Sequence, residues 1–138
     1  MPAKLGTLKK RSEFLHVRDG LYSAKGAVVV QMRARRPQDG TKDTRPPRQG
    51  FTATKKIGNA VTRNRAKRRL REAARALLPE YGLPGYDYVF IARGAYKGEA
   101  TTARDFTALL DDVRKALITL SRRATPERGE PSKKTTTP

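Results

Sequence analysis

The run GFTATKKIGNAVTRNRAKRRLREAAR, Gly50 to Arg75, joins a short strand to an arginine-rich helix through a turn at Gly58-Asn59. Phe51 to Lys55 reads as the strand. The helix is expected from about Ala60 or Arg63 to Leu78, where Pro79 should stop it. Ala66, Leu70, Ala73 and Leu77 recur at helical spacing and mark a buried stripe. At about 100° per residue, Asn64, Arg65, Arg68, Arg71 and Arg75 gather on the opposite side. One side of this helix therefore faces a core and the other an anion. Between Thr44 and Arg71 there are ten basic residues and no carboxylate.

Working outward, Leu8 to Val17 forms an amphipathic helix with Leu8, Phe14, Leu15 and Val17 on its apolar side, ended at Gly20. Ala27 to Met32 is a β-branched strand after the turn signal at Gly26. The stretch 35–49 is too polar to enter a core and is expected to be a mobile connection between strands. Tyr86 to Ala92 shows little alternation, as in a strand buried on both faces. A last helix is expected from near Thr102, where Thr102 to Asp105 resembles a capping box. Its apolar stripe is Phe106, Leu109, Leu110, Val113, Leu117 and Leu120. Residues 122–138 lack large apolar side chains and read as a disordered basic tail. The order α-β-β-α-β-α predicts an α+β fold, a small mixed sheet packed with helices, in one domain spanning 1–121.

With 31 Lys plus Arg against 13 Asp plus Glu, the 138-residue chain has a formal charge of +18. Such a field favours anionic partners: nucleic acid first, an anionic membrane surface second. No apolar run approaches the roughly 18 to 20 residues that span a bilayer, and no apolar signal core follows the N-terminal charges. The absence of cysteine excludes disulfides, thiolate metal sites and thiol nucleophiles. A cytoplasmic location is the expectation.

The residues that could carry chemistry in the protein itself are sparse. His16 is the sole histidine and reads as a surface or boundary residue. Asp111 and Asp112 point about 100° apart on a helix and are expected to solubilise its exposed face. Asp87, between two tyrosines, is expected in a structural salt bridge. No phosphate loop, zinc spacing or Ser/His/Asp set is present, so the protein alone does not read as catalytic.

The basic helix is different. A solvated helix mixes charge signs at i, i+4, whereas only Glu72 interrupts this one. Arginine forks suit phosphate oxygens and stack on bases. Lys55 and Lys56 lead into a helix N-terminus that also attracts phosphate.

The ordered set Gly50, Ala53-Thr54-Lys55-Lys56, Gly58-Asn59-Ala60-Val61, Arg63-Asn64-Arg65, Lys67-Arg68 and Arg71-Glu72 resembles the signature of the bacterial ribonuclease P protein family. Leu8-Lys9-Lys10, Glu13-Phe14 and Val17 resemble its first helix. Asp87-Tyr88-Val89 and Ile91-Ala92-Arg93 resemble its strand after the basic helix. The resemblance covers roughly Leu8 to Leu120.

It implies a left-handed strand–helix–strand crossover, against the usual right-handed rule. It also implies that an RNA subunit performs hydrolysis with Mg2+, the protein itself carrying no metal motif. Lys55, Lys56, Asn59, Arg63, Asn64, Arg65, Lys67, Arg68 and Arg71 would bind that catalytic RNA. A cleft with Lys10, Phe14, Arg18, Gln31 and Phe51 would hold the 5′ leader of precursor tRNA, the second partner. No membrane and no obligate protein partner are implied. Arg18 stands where an aromatic residue often follows Phe14 by one turn, and Phe14 itself also reads as a core residue. Two other classes stay open: a general RNA-binding or RNA-chaperone protein, and a DNA-binding module, although a strand rather than a helix precedes the basic helix.

Overall fold

The computed structural model describes residues 5–36, 43–94 and 99–124. Five strands form one mixed sheet: β1 (Gly6–Thr7), β2 (Leu21–Lys25), β3 (Val28–Ala34), β4 (Arg48–Thr52) and β5 (Tyr86–Ala92). Their spatial order is β1-β4-β5-β3-β2. β4 runs parallel to both β1 and β5, and the remaining pairs are antiparallel. The helices are α1 (Arg11–Arg18), α2 (Ala60–Tyr81) and α3 (Phe106–Ala124), with a 3-10 turn at Lys55–Ile57 before α2.

The strand period of two sorts side chains onto two layers. Val28, Val30, Met32, Tyr88, Phe90 and Ala92 face α2 and α3 and form the main core with Leu70, Ala73, Leu109, Val113, Leu117 and Leu120. Val89 faces the other way, where it forms a smaller cluster with Leu8 and Val17, flanked by Phe14 and Ile91. α1 thus covers one face of the sheet and α2 with α3 the other. Asp87 through Phe90 are all buried, as the lack of alternation in β5 predicts.

Several boundaries differ from the sequence expectation. The first helix starts at Arg11, because Leu8, just past β1, still follows β4 and donates its N–H to the Gln49 carbonyl at 2.8 Å. β2 is an additional strand. It pairs with β3 across the turn before Ala27, and β3 extends to Ala34.

β4 spans Arg48–Thr52 rather than Phe51 to Lys55, because Arg48 pairs in register with Asp87 and its guanidinium grips that carboxylate at 2.7–2.8 Å. Part of the 35–49 connection is therefore ordered; residues 37–42 lie outside the described residues. Pro79 does not end α2. It sits in the last turn, and the helix closes where the Gly82 N–H meets the Leu78 carbonyl at 2.7 Å. Leu78 and Ala74 are fully buried, and Leu77 only packs at the core's margin.

α3 is capped by Asp105, whose carboxylate accepts from the N–H groups of Thr107 and Ala108, not by Thr102. Neighbouring Thr101 is buried instead, its hydroxyl accepting from Arg93 N–H and donating to the Ala27 carbonyl. Asp112 does not solubilise a surface. It is buried, accepts the Ala27 N–H at 3.0 Å and pairs with Arg104, latching the β2–β3 turn to α3. Asp111 alone stays on the surface, with Arg114 and Lys115. α3 runs on to Ala124, into the expected tail; 125–138 lie outside the described residues.

Candidate RNA-binding surfaces

Gly58 sets the entry to α2. Its φ of 146° is open to glycine and strained for any other residue. Asn59 follows as N-cap, its Oδ1 accepting the Thr62 N–H at 2.9 Å. Arg63 folds back to donate to the Gly58 carbonyl at 2.9 Å, so it braces the turn it was expected only to follow. Asn64, Arg65, Arg68 and Arg71 stand exposed along one side, with Lys67 half-buried beside them and Lys55 and Lys56 exposed on the preceding turn.

The distribution of carboxylates decides the electrostatics of this surface. Asp87 takes Arg35 and Arg48, Asp43 takes Arg35 and Arg45, Asp112 takes Arg104, and Glu13 takes Arg48. Among the described residues, none of Lys55, Lys56, Arg63, Arg65, Lys67, Arg68 or Arg71 has an acidic partner. Like charges along a helix repel, so this row gains from a polyanion what it cannot gain internally. Arg69 shows the contrast. It turns inward, donates to the carbonyls of Thr101 and Arg104, and lies 5.7 Å over the Phe106 ring. Arg71 lies 5.2 Å over Phe51, with no hydrogen-bond acceptor among the described residues.

The second surface lies between α1 and the sheet. Lys10, the N-cap of α1, and Phe14 and Arg18 within it follow one another at i, i+4, and Gln31 lies on the sheet face that α1 only partly covers. Phe14 is half-buried. Its ring rests on Gly50, where an added Cβ would come within 2.7 Å of the ring, and against Leu8 and Val17. Phe14 therefore packs the small cluster and lines the cleft together. Arg18 and Lys10 are exposed at its two ends.

Phe51 is not in this cleft. It pairs with Phe90, stacks on that ring at 5.6 Å, and joins the core on the α2 side. Tyr22 was not anticipated. It is 61% exposed on the edge strand β2, opposite Gln31 in register and so on the same face, and supplies an aromatic surface there. The only cue in the sequence is a tyrosine in a five-residue segment between two glycines.

The expected Asp87 salt bridge is present, and more elaborate than a pair. Arg35 is buried and spends its donors on Asp43, Asp87 and the carbonyls of Tyr86, Arg45 and Pro46. The arginines beside Asp43 hold its carboxyl far below the usual carboxylate range, Arg45 contributing most. Glu13 is also lowered, chiefly by the N–H groups of Lys10 and Lys9 that it accepts at 2.9 Å. His16 Nε2 meets the Ala34 carbonyl at 3.1 Å, which requires the proton on that nitrogen. No group of three or more potential metal-ligating side chains occurs among the described residues. No described helix is long and apolar enough to cross a membrane.

The model for the ribonuclease P family matches residues 2–121. A ribonuclease P protein component of Caulobacter vibrioides is 52% identical over 118 residues, which cover 86% of this chain and 72% of that protein. Its counterpart in Ruegeria pomeroyi is 48% identical over 113 residues, covering 82% and 84%. Among solved structures, the RNase P protein of Thermotoga maritima superposes with a TM-score of 0.58 at 27% identity, covering 85% of this chain and 96% of that one. The Staphylococcus aureus protein, at 24% identity, gives 0.64 over the same shares and supports the fold. Signature, sheet and relatives agree: the chain belongs to the ribonuclease P protein family.

Proposed function

We propose that this chain is the protein subunit of a ribonuclease P ribonucleoprotein, in which α2 seats on the catalytic RNA and the α1–sheet cleft engages the 5′ leader of precursor tRNA. The carrying observation is the row of cations on α2 and its preceding turn, left without acidic partners while Asp43, Asp87 and Asp112 pair with other arginines. Lys55, Lys56, Asn64, Arg65, Lys67, Arg68 and Arg71 supply phosphate and base contacts. Asn59 and Arg63 act first by building the turn, with Asn59's amide donors left for RNA.

In the cleft, a single strand meets a cation at each end and the Phe14 edge between them, with Tyr22 beyond Gln31. Such stacking tolerates many sequences. Arg18 takes part through its guanidinium plane.

The described residues hold no group of three or more potential metal ligands, and Asp43, Asp87 and Asp112 are each held by arginines. In this reading hydrolysis and its metal belong to the RNA. The protein's part is to hold two RNAs together against their mutual repulsion, in the cytoplasm where tRNA is made.

The test is precursor tRNA cleavage at low Mg2+ by a bacterial ribonuclease P RNA with and without this protein. Correct 5′-end cleavage that needs both components is expected. Tight binding without stimulation, repeated with the RNA from the same organism, would favour a general RNA-binding protein.

A further inference from the structure

Gly50 pairs with Val89, Val89 with Gln31 and Gln31 with Tyr22, so these four residues form one transverse row on the sheet face that carries α1. Phe14 rests on Gly50 at one end of the row, and Tyr22 stands 61% exposed at the other. Three strand spacings of about 4.8 Å separate the ends, about 14 Å in all. Between them, Val89 is buried with Leu8 and Val17, and Gln31 is half-buried, its amide without a partner among the described residues.

An exposed tyrosine is ordinary on a protein surface. This one is distinguished by how its strand is held. β2 is the edge of the sheet, yet α3 and the segment before it pin both of its ends. Arg123, in the last turn of α3, donates Nη1 to the Tyr22 carbonyl at 2.8 Å. Past the other end, Asp112 accepts the Ala27 N–H, the Thr101 hydroxyl donates to the Ala27 carbonyl, and Arg93 donates to the Gly26 carbonyl. The backbone under Tyr22 is fixed while its ring is open to solvent. Arg123 has no acidic partner among the described residues, so a full positive charge sits beside that ring.

A fixed aromatic plane next to an unneutralised cation is the pair of groups that holds a base and its phosphate in a single strand. We infer that Tyr22 and Arg123 form a second holding point for the 5′ leader, distinct from the one at Phe14. The inference rests on the proposed ribonuclease P role. Bases stacked along one strand rise about 3.4 Å per step, so about 14 Å places the two held bases two or more nucleotides apart. β4 leads into α2, the proposed seat of the catalytic RNA, and β2 is the sheet edge on the far side of β5 and β3. Phe14 therefore takes the base nearer the cleavage point and Tyr22 the more distant one. Tyr22 is a specificity-determining residue for leader length, and Arg123 a positioning residue that also meets the backbone.

The experiment measures the affinity of the reconstituted holoenzyme for precursor tRNAs whose leaders are lengthened by single nucleotides. Affinity is expected to rise in two steps, the first removed by Phe14→Ala and the second by Tyr22→Ala. Tyr22→Ala should weaken long-leader precursors about tenfold relative to short-leader ones, as for one lost base stack. Tyr22→Phe should keep the second step. Arg123→Ala should shrink it without lowering the Tm, and Arg123→Lys should restore part of it.

A second step that survives Tyr22→Ala overturns the inference and leaves the ribonuclease P role standing. Equal loss at every leader length, with a lowered Tm, overturns it as well, by making Tyr22 structural. A Tyr22→Phe protein as weak as Tyr22→Ala replaces the stacking plane with a hydroxyl contact. A parent protein that neither stimulates cleavage nor responds to leader length overturns the role and this inference together.

Discussion

Arg65 and Arg71 share a helix and a charge, yet their settings separate their roles. Arg65 projects freely, so Arg65→Ala should weaken binding to the catalytic RNA and flatten the log-affinity against log-salt slope by about 0.7–0.9, one phosphate's worth. Arg71 lies over the Phe51 ring, which is stacked on Phe90, and in the proposed complex its guanidinium offers a base a stacking surface as well as a charge. Arg71→Lys keeps the charge and loses the plane: affinity should fall while the slope stays the same. A slope change identical to that of Arg65→Ala would make Arg71 one more phosphate contact. The side of the sheet that Phe51 occupies was not legible in the sequence. Alternation says only that neighbours in a strand face opposite ways, and the face is fixed by the pairing of Phe51 with Phe90.

At the scale of elements, legibility followed periodicity. α2, α3 and β5 have enough apolar residues at one spacing to declare themselves, and their expected stripes largely coincide with the buried residues. β1 has two residues and β2 five, too few for a period to emerge. Asp112 was misread because an acid on an amphipathic helix looks solvated until the β2–β3 turn is placed over it.

Replacing the N-cap, Asn59→Ala, should cost about 1 kcal/mol in denaturant unfolding. Because the cap adjoins the turn proposed to face RNA, RNA affinity should fall as well. α1 invites a sharper comparison. Phe14→Ala should impair cleavage of precursors with long leaders more than those with very short ones. Equal impairment of both, with a lowered Tm, would assign Phe14 to packing alone.

For the whole molecule, the acids matter more than their number implies. Asp43 and Glu13 are held below their ordinary values in the folded chain, so they stabilise it fully at neutral pH. Below about pH 4 the unfolded chain takes up protons more readily than the folded one, and that stabilisation drains away. Asp43→Asn should lower the Tm at pH 7 and flatten its decline in acid. An unchanged acid limb would place the sensitivity elsewhere. The candidate RNA helix was readable from composition and order, but the ionic floor beneath α1 was not, because it joins residues 13, 35, 43, 48 and 87 through tertiary contact alone.

The strand at the middle of the sheet, β5, is also the last of the described strands along the chain. On the ribosome, the hairpin and β4 therefore have no common neighbour until residue 92 has emerged, after the whole of α2 is already outside. A nascent or prematurely ended chain would present its most cationic helix with no sheet beneath it, a state more apt to stick to any RNA nearby than to choose one.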